Sequence, residues 1–168
     1  MNRDLDALHP AVRPMLEAHM GAATSHGLRT MVIETYRDEA LQAEHWAQGR
    51  NLAGEIIDAS RVVTYSRPGQ SWHGVTYPQT GKPCSLAYHL AIVVPGGLLG
   101  FGASRMDTAA EEMYGALATL GEQIGLTAGA RWKMRDWTHY EYHPDGATLM
   151  QVKAAMAAQG DIHRMART

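Results

Sequence analysis

The sequence predicts an α+β domain whose small, mainly antiparallel sheet is flanked by helices. Three observations predict it. Apolar residues recur at helical spacing near the N-terminus and again after residue 108. Residues 28–34 and 86–95 are short runs rich in β-branched and aromatic side chains, and a glycine pair follows the second. Helical and strand patterns succeed one another without the regular alternation that a parallel sheet requires. At 168 residues the chain reads as one domain, residues 1–168, long enough to bury its own core.

The first helix is expected over residues 8–26, with Pro10 in its first turn. Val12, Met15, Leu16, His19 and Met20 supply the helical spacing, and Gly27 the stop. Residues 28–34 read as a buried strand, with Thr35-Tyr36-Arg37 at its end. A second helix is expected over residues 38–48 and closes at Gly49. Residues 50–70 show no clean pattern. Arg67-Pro68-Gly69-Gln70 is a turn that delivers the chain into Ser71-Trp72-His73. Residues 74–84 are rich in turn formers and read as a loop or loose hairpin. Residues 86–95 form the clearest strand, with Gly96-Gly97 turning it into residues 98–101. The strongest helix spans residues 108–125, on a stripe of Ala110, Met113, Leu117, Leu120 and Ile124. A glycine-containing loop with Trp132 is expected over residues 127–136, a strand over 139–143, and a last helix over 146–159 before a basic tail.

Composition excludes several classes. The hydrophobic fraction is 45%, too high for a disordered chain. The formal net charge is -2 and the isoelectric point about 6.5, so no basic field points to nucleic acid. The single cysteine, Cys84, excludes an internal disulfide framework. No stretch is long and apolar enough to span a bilayer, and the residues after Met1 carry no apolar run, so no secretory signal is expected.

Nine histidines are the first sign of metal or proton chemistry. His9, His19, His26 and His45 fall on or beside the expected helices with no partner at ligand spacing, and His163 lies in the tail. These five read as structural or surface residues. His73, His89 and His139 are each placed at or near a strand, and Asp136 stands three residues before His139. Three imidazoles can bind one zinc ion and leave its fourth position to water, whose proton a nearby carboxylate could take. Spacing alone leaves this reading open against three satisfied core histidines.

The segments Glu34-Thr-Tyr-Arg37, Ala47-Gln-Gly-Arg50, Arg67-Pro-Gly-Gln-Ser-Trp-His73, Gly81-Lys-Pro and Asp136-Trp-Thr-His139-Tyr-Glu141 together resemble the M15 family of zinc peptidases. Within it they are most like the L-alanyl-D-glutamate endopeptidases of bacteriophage endolysins. The likeness runs from about Leu8 to His143. It implies the fold shared by D-Ala-D-Ala peptidases and the Hedgehog signalling domain. It also implies roles: His73 and His139 as zinc ligands, Asp136 as general base and acid, and Arg37 as the group that binds substrate or steadies the oxyanion. Ser71 would brace the site or a substrate carboxylate. The chemistry suits these residue types. Zinc lowers the pKa of a bound water to roughly 7, a carboxylate in reach can shuttle its proton, and a guanidinium grips a carboxylate or oxyanion through paired N–H groups. Trp132 and Trp137 could line a cleft or pack in the core.

One position departs from the family. Its second ligand is an aspartate in a run resembling Gly-Lys-Pro-Ala-Ser-x-Ala-Phe-Asp. Here the run is Gly81-Lys-Pro-Cys-Ser-Leu-Ala-Tyr-His89, so His89 stands where the aspartate is expected. The competitor for third ligand is His143, on the same strand face as His139 but followed by Pro144. The resemblance therefore implies a three-histidine zinc site of His73, His89 and His139. The enzyme would be a zinc-dependent peptidase cutting the L-Ala-D-Glu bond of the peptidoglycan stem peptide. Its setting would be a phage endolysin, acting as a monomer on the cell wall in the periplasm after holin-type release from the host cytoplasm. A D,D-carboxypeptidase or dipeptidase of the same fold, and a non-catalytic zinc-fold binding module, are the alternatives.

Overall fold

The computed structural model describes residues 1–100 and 106–162. Phe101, at the end of the expected hairpin, and His163 with the basic tail lie outside the described residues. The helices are α1 (Val12–Ser25), α2 (Glu39–Ala47), α3 (Thr108–Gln123) and α4 (Leu149–Gln159). The strands are β1 (Thr30–Glu34), β2 (Ala87–Val94), β3 (Gly97–Leu98), β4 (Thr127–Ala128) and β5 (His139–Glu141). The sheet runs β1-β2-β5-β4, with β3 folded back on β2. Every strand pairing is antiparallel, so the fold class is the α+β arrangement read in the sequence.

Local chemistry explains where the elements begin and end. Asp38 caps α2, its side chain accepting from the Leu41 backbone N–H, and Asp107 does the same for α3 at Ala110. Thr148 and Gln151 close a capping box on α4. Helix α1 begins later than the sequence predicts. Leu8 bridges to Ser85 and Pro10 lies in a turn, so the proline precedes the helix instead of sitting in its first turn. Gly27, at φ 76, takes the left-handed turn that stops the helix. The expected loop at 127–136 holds the short strand β4 and a 3-10 turn at Gly129–Arg131. Two residues are too few for an alternation to be legible in sequence.

Alternation along β2 and β5 divides the sheet into a core face and a site face. Tyr88, Leu90, Ile92 and Tyr140 are buried on the core face. There they meet Leu16 of α1 and Tyr114 and Leu117 of α3 in one cluster. Burying a side chain such as Leu16 or Leu117 contributes roughly 1.5–3 kcal/mol. His19, fully buried in α1, is held at both ring nitrogens, by Tyr88 Oη at 2.9 Å and the Leu117 carbonyl at 2.9 Å. It is a structural histidine, and burial pushes its pKa down. The expected α3 stripe holds at Ala110, Leu117 and Leu120. It omits Tyr114, Ala118 and Gly121, which are also buried.

Candidate metal centre

The opposite face of the sheet carries a row of polar side chains. In the pairing of β1 with β2, Glu34 lies opposite His89, and in the pairing of β2 with β5, His89 lies opposite His139. Three adjacent strands thus place Glu34, His89 and His139 side by side. His73 arrives from outside the sheet. The sequence reading placed it near a strand, whereas it sits in a 3-10 turn, Trp72–Gly74, capped by Ser71. That turn is pinned between strands: Arg37 N–H donates to the His73 carbonyl and Leu86 N–H to the Trp72 carbonyl.

His73 Nε2 lies 3.3 Å from His139 Nδ1, which lies 3.1 Å from His89 Nε2. One ring nitrogen from each of the three histidines falls within 4.8 Å of the others. Tetrahedral zinc with bonds of about 2.0–2.1 Å needs ligand atoms roughly 3.3 Å apart, so the residues present fit such an ion. The outer nitrogens are held as well. His73 Nδ1 is 2.8 Å from the Thr35 carbonyl, which can only accept, so His73 carries its proton on Nδ1 and turns a bare Nε2 inward. His139 Nε2 is 2.8 Å from Glu141 Oε2, leaving Nδ1 bare. His89 Nδ1 is 3.0 Å from Thr138 Oγ1. An acceptor on the outer nitrogen fixes ring orientation and tautomer for metal binding.

The electrostatics favour a neutral ring at His73 and at His89. Burial first, then the neighbouring His89, His139 and Arg37, push the His73 pKa well below its ordinary value. Burial, His139 and Arg37 do the same to His89. Neutral histidine is the ligand form. Glu141 is buried, which by itself raises its pKa. Hydrogen bonds from His139 and from His143, whose Nε2 is 2.7 Å from Glu141 Oε1, outweigh burial and hold it below the usual carboxylate value. His143, the competitor for third ligand, thus turns to Glu141, and its ring stacks on Trp72 at 4.3 Å.

Asp136 sits in the loop before β5. Its Oδ2 is 3.9 Å from His89 Nε2, and its side chain is 37% exposed. Gly129 makes this placement feasible. Its carbonyl accepts from the Asp136 N–H at 3.1 Å, and an added Cβ would come within 2.7 Å of the Asp136 carbonyl oxygen and 2.9 Å of His139 Cβ. Trp132 lies with its ring centroid 4.8 Å from that of His139 and stays 38% exposed. Trp137 packs against the core near Tyr114.

Arg37 is in a buried ion pair. Its Nε donates to Glu34 Oε1 at 3.2 Å and its NH2 donates to Glu34 Oε2. Its NH1 donates to Gln42 Oε1 at 3.0 Å. A guanidinium has five N–H bonds, so among the described residues one on each terminal nitrogen is left for another partner. Gln42 in turn donates to the Ser66 carbonyl at 2.6 Å. Ser71 Oγ accepts from the His73 N–H at 3.3 Å. It braces the turn that carries His73.

Of the residues singled out in the sequence, His73, His89, His139 and Asp136 come together in one cluster. Glu34, Gln42, Thr138 and Glu141 were missed as parts of the site, and His143, weighed in the sequence as a third ligand, instead turns to Glu141. For Glu141 the signal was present, since 139, 141 and 143 share one strand face. For the Thr35 carbonyl no side chain could have signalled it.

No family model matches the chain. The peptidoglycan L-alanyl-D-glutamate endopeptidase CwlK of Bacillus subtilis (strain 168) is 26% identical over 140 residues, covering 82% of this chain and 75% of CwlK. The crystal structure of the Serratia marcescens L-Ala D-Glu endopeptidase ChiX superposes with a TM-score of 0.50 at 15% identity, covering 84% of this chain and 85% of ChiX. The Zn(II) complex of the vancomycin resistance D,D-pentapeptidase VanY from the VanB-type cassette gives a TM-score of 0.49 at 20% identity, over 92% of this chain and 80% of VanY. The chain shares the fold of ChiX, and the likeness to the M15 zinc peptidases carried by its motifs extends to a curated relative.

Proposed function

We propose that the protein is a zinc-dependent peptidoglycan peptidase that cuts the L-Ala-D-Glu bond of the stem peptide. The observation that carries the reading is the convergence of one ring nitrogen each from His73, His89 and His139, with Asp136 Oδ2 beside them. The curated relative supports the choice of substrate. The three histidines would hold the ion. Bound there, zinc would supply Lewis acidity and make water at the site acidic enough to be deprotonated near neutral pH. Asp136 Oδ2 takes the proton of the attacking water and returns it to the leaving amine. Arg37, locked by Glu34, turns its remaining N–H bonds to the substrate carbonyl or a nearby carboxylate. Trp132 forms an apolar wall beside His139.

The biological setting of the proposal is that of an endolysin, reaching the wall in the periplasm after holin-type release and acting as a monomer. No helix among the described residues is long and apolar enough to cross a membrane. Turbidity of outer-membrane-permeabilised cells, followed with and without chelator, tests the hydrolase. Mass spectrometry of the digested muropeptides tests the bond. Fragments ending in L-Ala support the proposal, loss of a terminal D-Ala assigns a D,D-peptidase instead, and no cleavage by zinc-loaded protein leaves a binding module.

A further inference from the structure

Thr138 Oγ1 stands between two members of the site. It is 3.0 Å from His89 Nδ1 and 3.2 Å from Asp136 Oδ1. A hydroxyl has one proton to donate, and a carboxylate only accepts. Were that proton turned toward His89, the lone pairs of Oγ1 and Oδ1 would face each other at 3.2 Å. The arrangement that makes both Thr138 contacts hydrogen bonds and leaves the inner nitrogen of His89 free for an ion has one direction: His89 Nδ1–H donates to Oγ1, and Oγ1–H donates to Oδ1. His89 Nε2 is then bare and faces the equally bare His139 Nδ1 at 3.1 Å, a juxtaposition that a cation held between them relieves.

The same hydroxyl orients the carboxylate. Asp136 Oδ1 receives both the Thr138 hydroxyl and the Thr138 backbone N–H, at 3.2 and 3.4 Å. Oδ2 is left toward the histidines, 3.9 Å from His89 Nε2. Histidine at this position creates a requirement that an aspartate would not have. A carboxylate offers lone pairs in any protonation state it ligates from, whereas a neutral imidazole must put its one proton on the outer nitrogen.

We propose that Thr138 is a positioning residue: its hydroxyl sets the His89 tautomer for metal binding and aims Asp136 Oδ2 at the site. The inference rests on the reading of His89 as a ligand. The backbone of Thr138 is held independently, its carbonyl accepting from Leu90 N–H at 2.8 Å. Thr138→Val, close to isosteric, is therefore expected to fold.

The experiment measures zinc affinity by competition with a chromogenic chelator, and reads the His89 tautomer by 15N NMR of the metal-free protein. Thr138→Val should weaken zinc by about 10–100-fold and take the His89 ring from the Nδ1–H form to a mixture. Thr138→Ser, which keeps the hydroxyl, should recover most of the affinity and the Nδ1–H form. In a His89→Asp background the valine substitution should leave zinc affinity nearly unchanged, because no ring proton remains to be placed. Unaltered affinity and tautomer in folded Thr138→Val overturn the proposal. An equal loss in the His89→Asp background also overturns it, since the hydroxyl would then act without His89. If the parent protein binds no zinc, the peptidase reading fails, and the tautomer in Thr138→Val still decides the role of the hydroxyl.

Discussion

His89 and His139 are direct partners across β2 and β5, and the ring nitrogens they turn toward each other, Nε2 and Nδ1, are 3.1 Å apart. Strand pairing fixes that spacing before any ion arrives. His89→Ala should therefore lose most zinc affinity, whereas His89→Asp, which offers an anionic ligand from the same strand position, should keep it. Metal content after dialysis measures both. Undiminished zinc in His89→Ala would remove His89 from the site.

Removing zinc should lower the melting temperature and abolish lysis, and adding it back should restore both. Binding to the native state alone stabilises by about 2.7 kcal/mol at a free concentration one hundred times the dissociation constant. The check is a thermal scan across a zinc titration. A melting temperature independent of zinc, with activity unaffected by chelation, would refute the metal reading.

Asp136→Asn should retain zinc and lose at least about two orders of magnitude in hydrolysis, the usual cost of removing a general base. Metal analysis beside the rate assay separates the two roles. Zinc lost with the carboxylate would make Asp136 a ligand.

Gly129→Ala should both destabilise and inactivate. The new methyl would press within 2.7 Å of the Asp136 carbonyl oxygen, and overpacking of this kind costs about 1–3 kcal/mol. Gly115 in α3, where an added Cβ meets nothing within 4 Å, is the control. There alanine should stabilise by about 0.4–1 kcal/mol. Comparable melting temperatures for the two variants would show that the 129 turn yields without strain.

Cys84 is fully buried, and burial lifts its thiol pKa to about 12. At pH 8 it should not react with a thiol reagent until urea unfolds the chain. The raised value also sets a pH dependence. The native state keeps a proton that the unfolded chain loses above its ordinary thiol pKa of about 8.5. The contribution of Cys84 to stability is thus full below that pH and is lost as pH rises toward about 12. Rapid labelling of native protein at pH 8 would contradict this.

The parts of the fold that sequence made legible are those with a long repeat or a local stop signal. Helix α3 had sixteen residues over which to show its period, and β2 had eight. Strand β4, with two residues, had none to show. Within the site, His73, His139 and Asp136 were legible because the motif resemblance supplied their roles. His89 was legible because it broke the pattern. The supports were not. Glu34 meets His89 only through strand register, and Gln42 meets Arg37 only because α2 begins just after β1. Thr138 reads in sequence as an ordinary loop residue. Its function is visible only when the oxygen is seen between two neighbours.

The neutrality of the histidine cluster has a consequence for charge balance. In a site where an aspartate binds the ion, part of its double positive charge is neutralised at bonding distance. With three imidazoles, none is. Glu34 is already paired with Arg37, so the balancing negative charges are Asp136, beside the cluster, and Glu141, one hydrogen bond behind His139. In the proposed coordination, neutralisation would fall to carboxylates that do not themselves touch the ion. The acidity of water at such an ion, and the pull of the site on anionic groups of a substrate, would then depend on positions 136 and 141, the second of them tied as well to the orientation of His139.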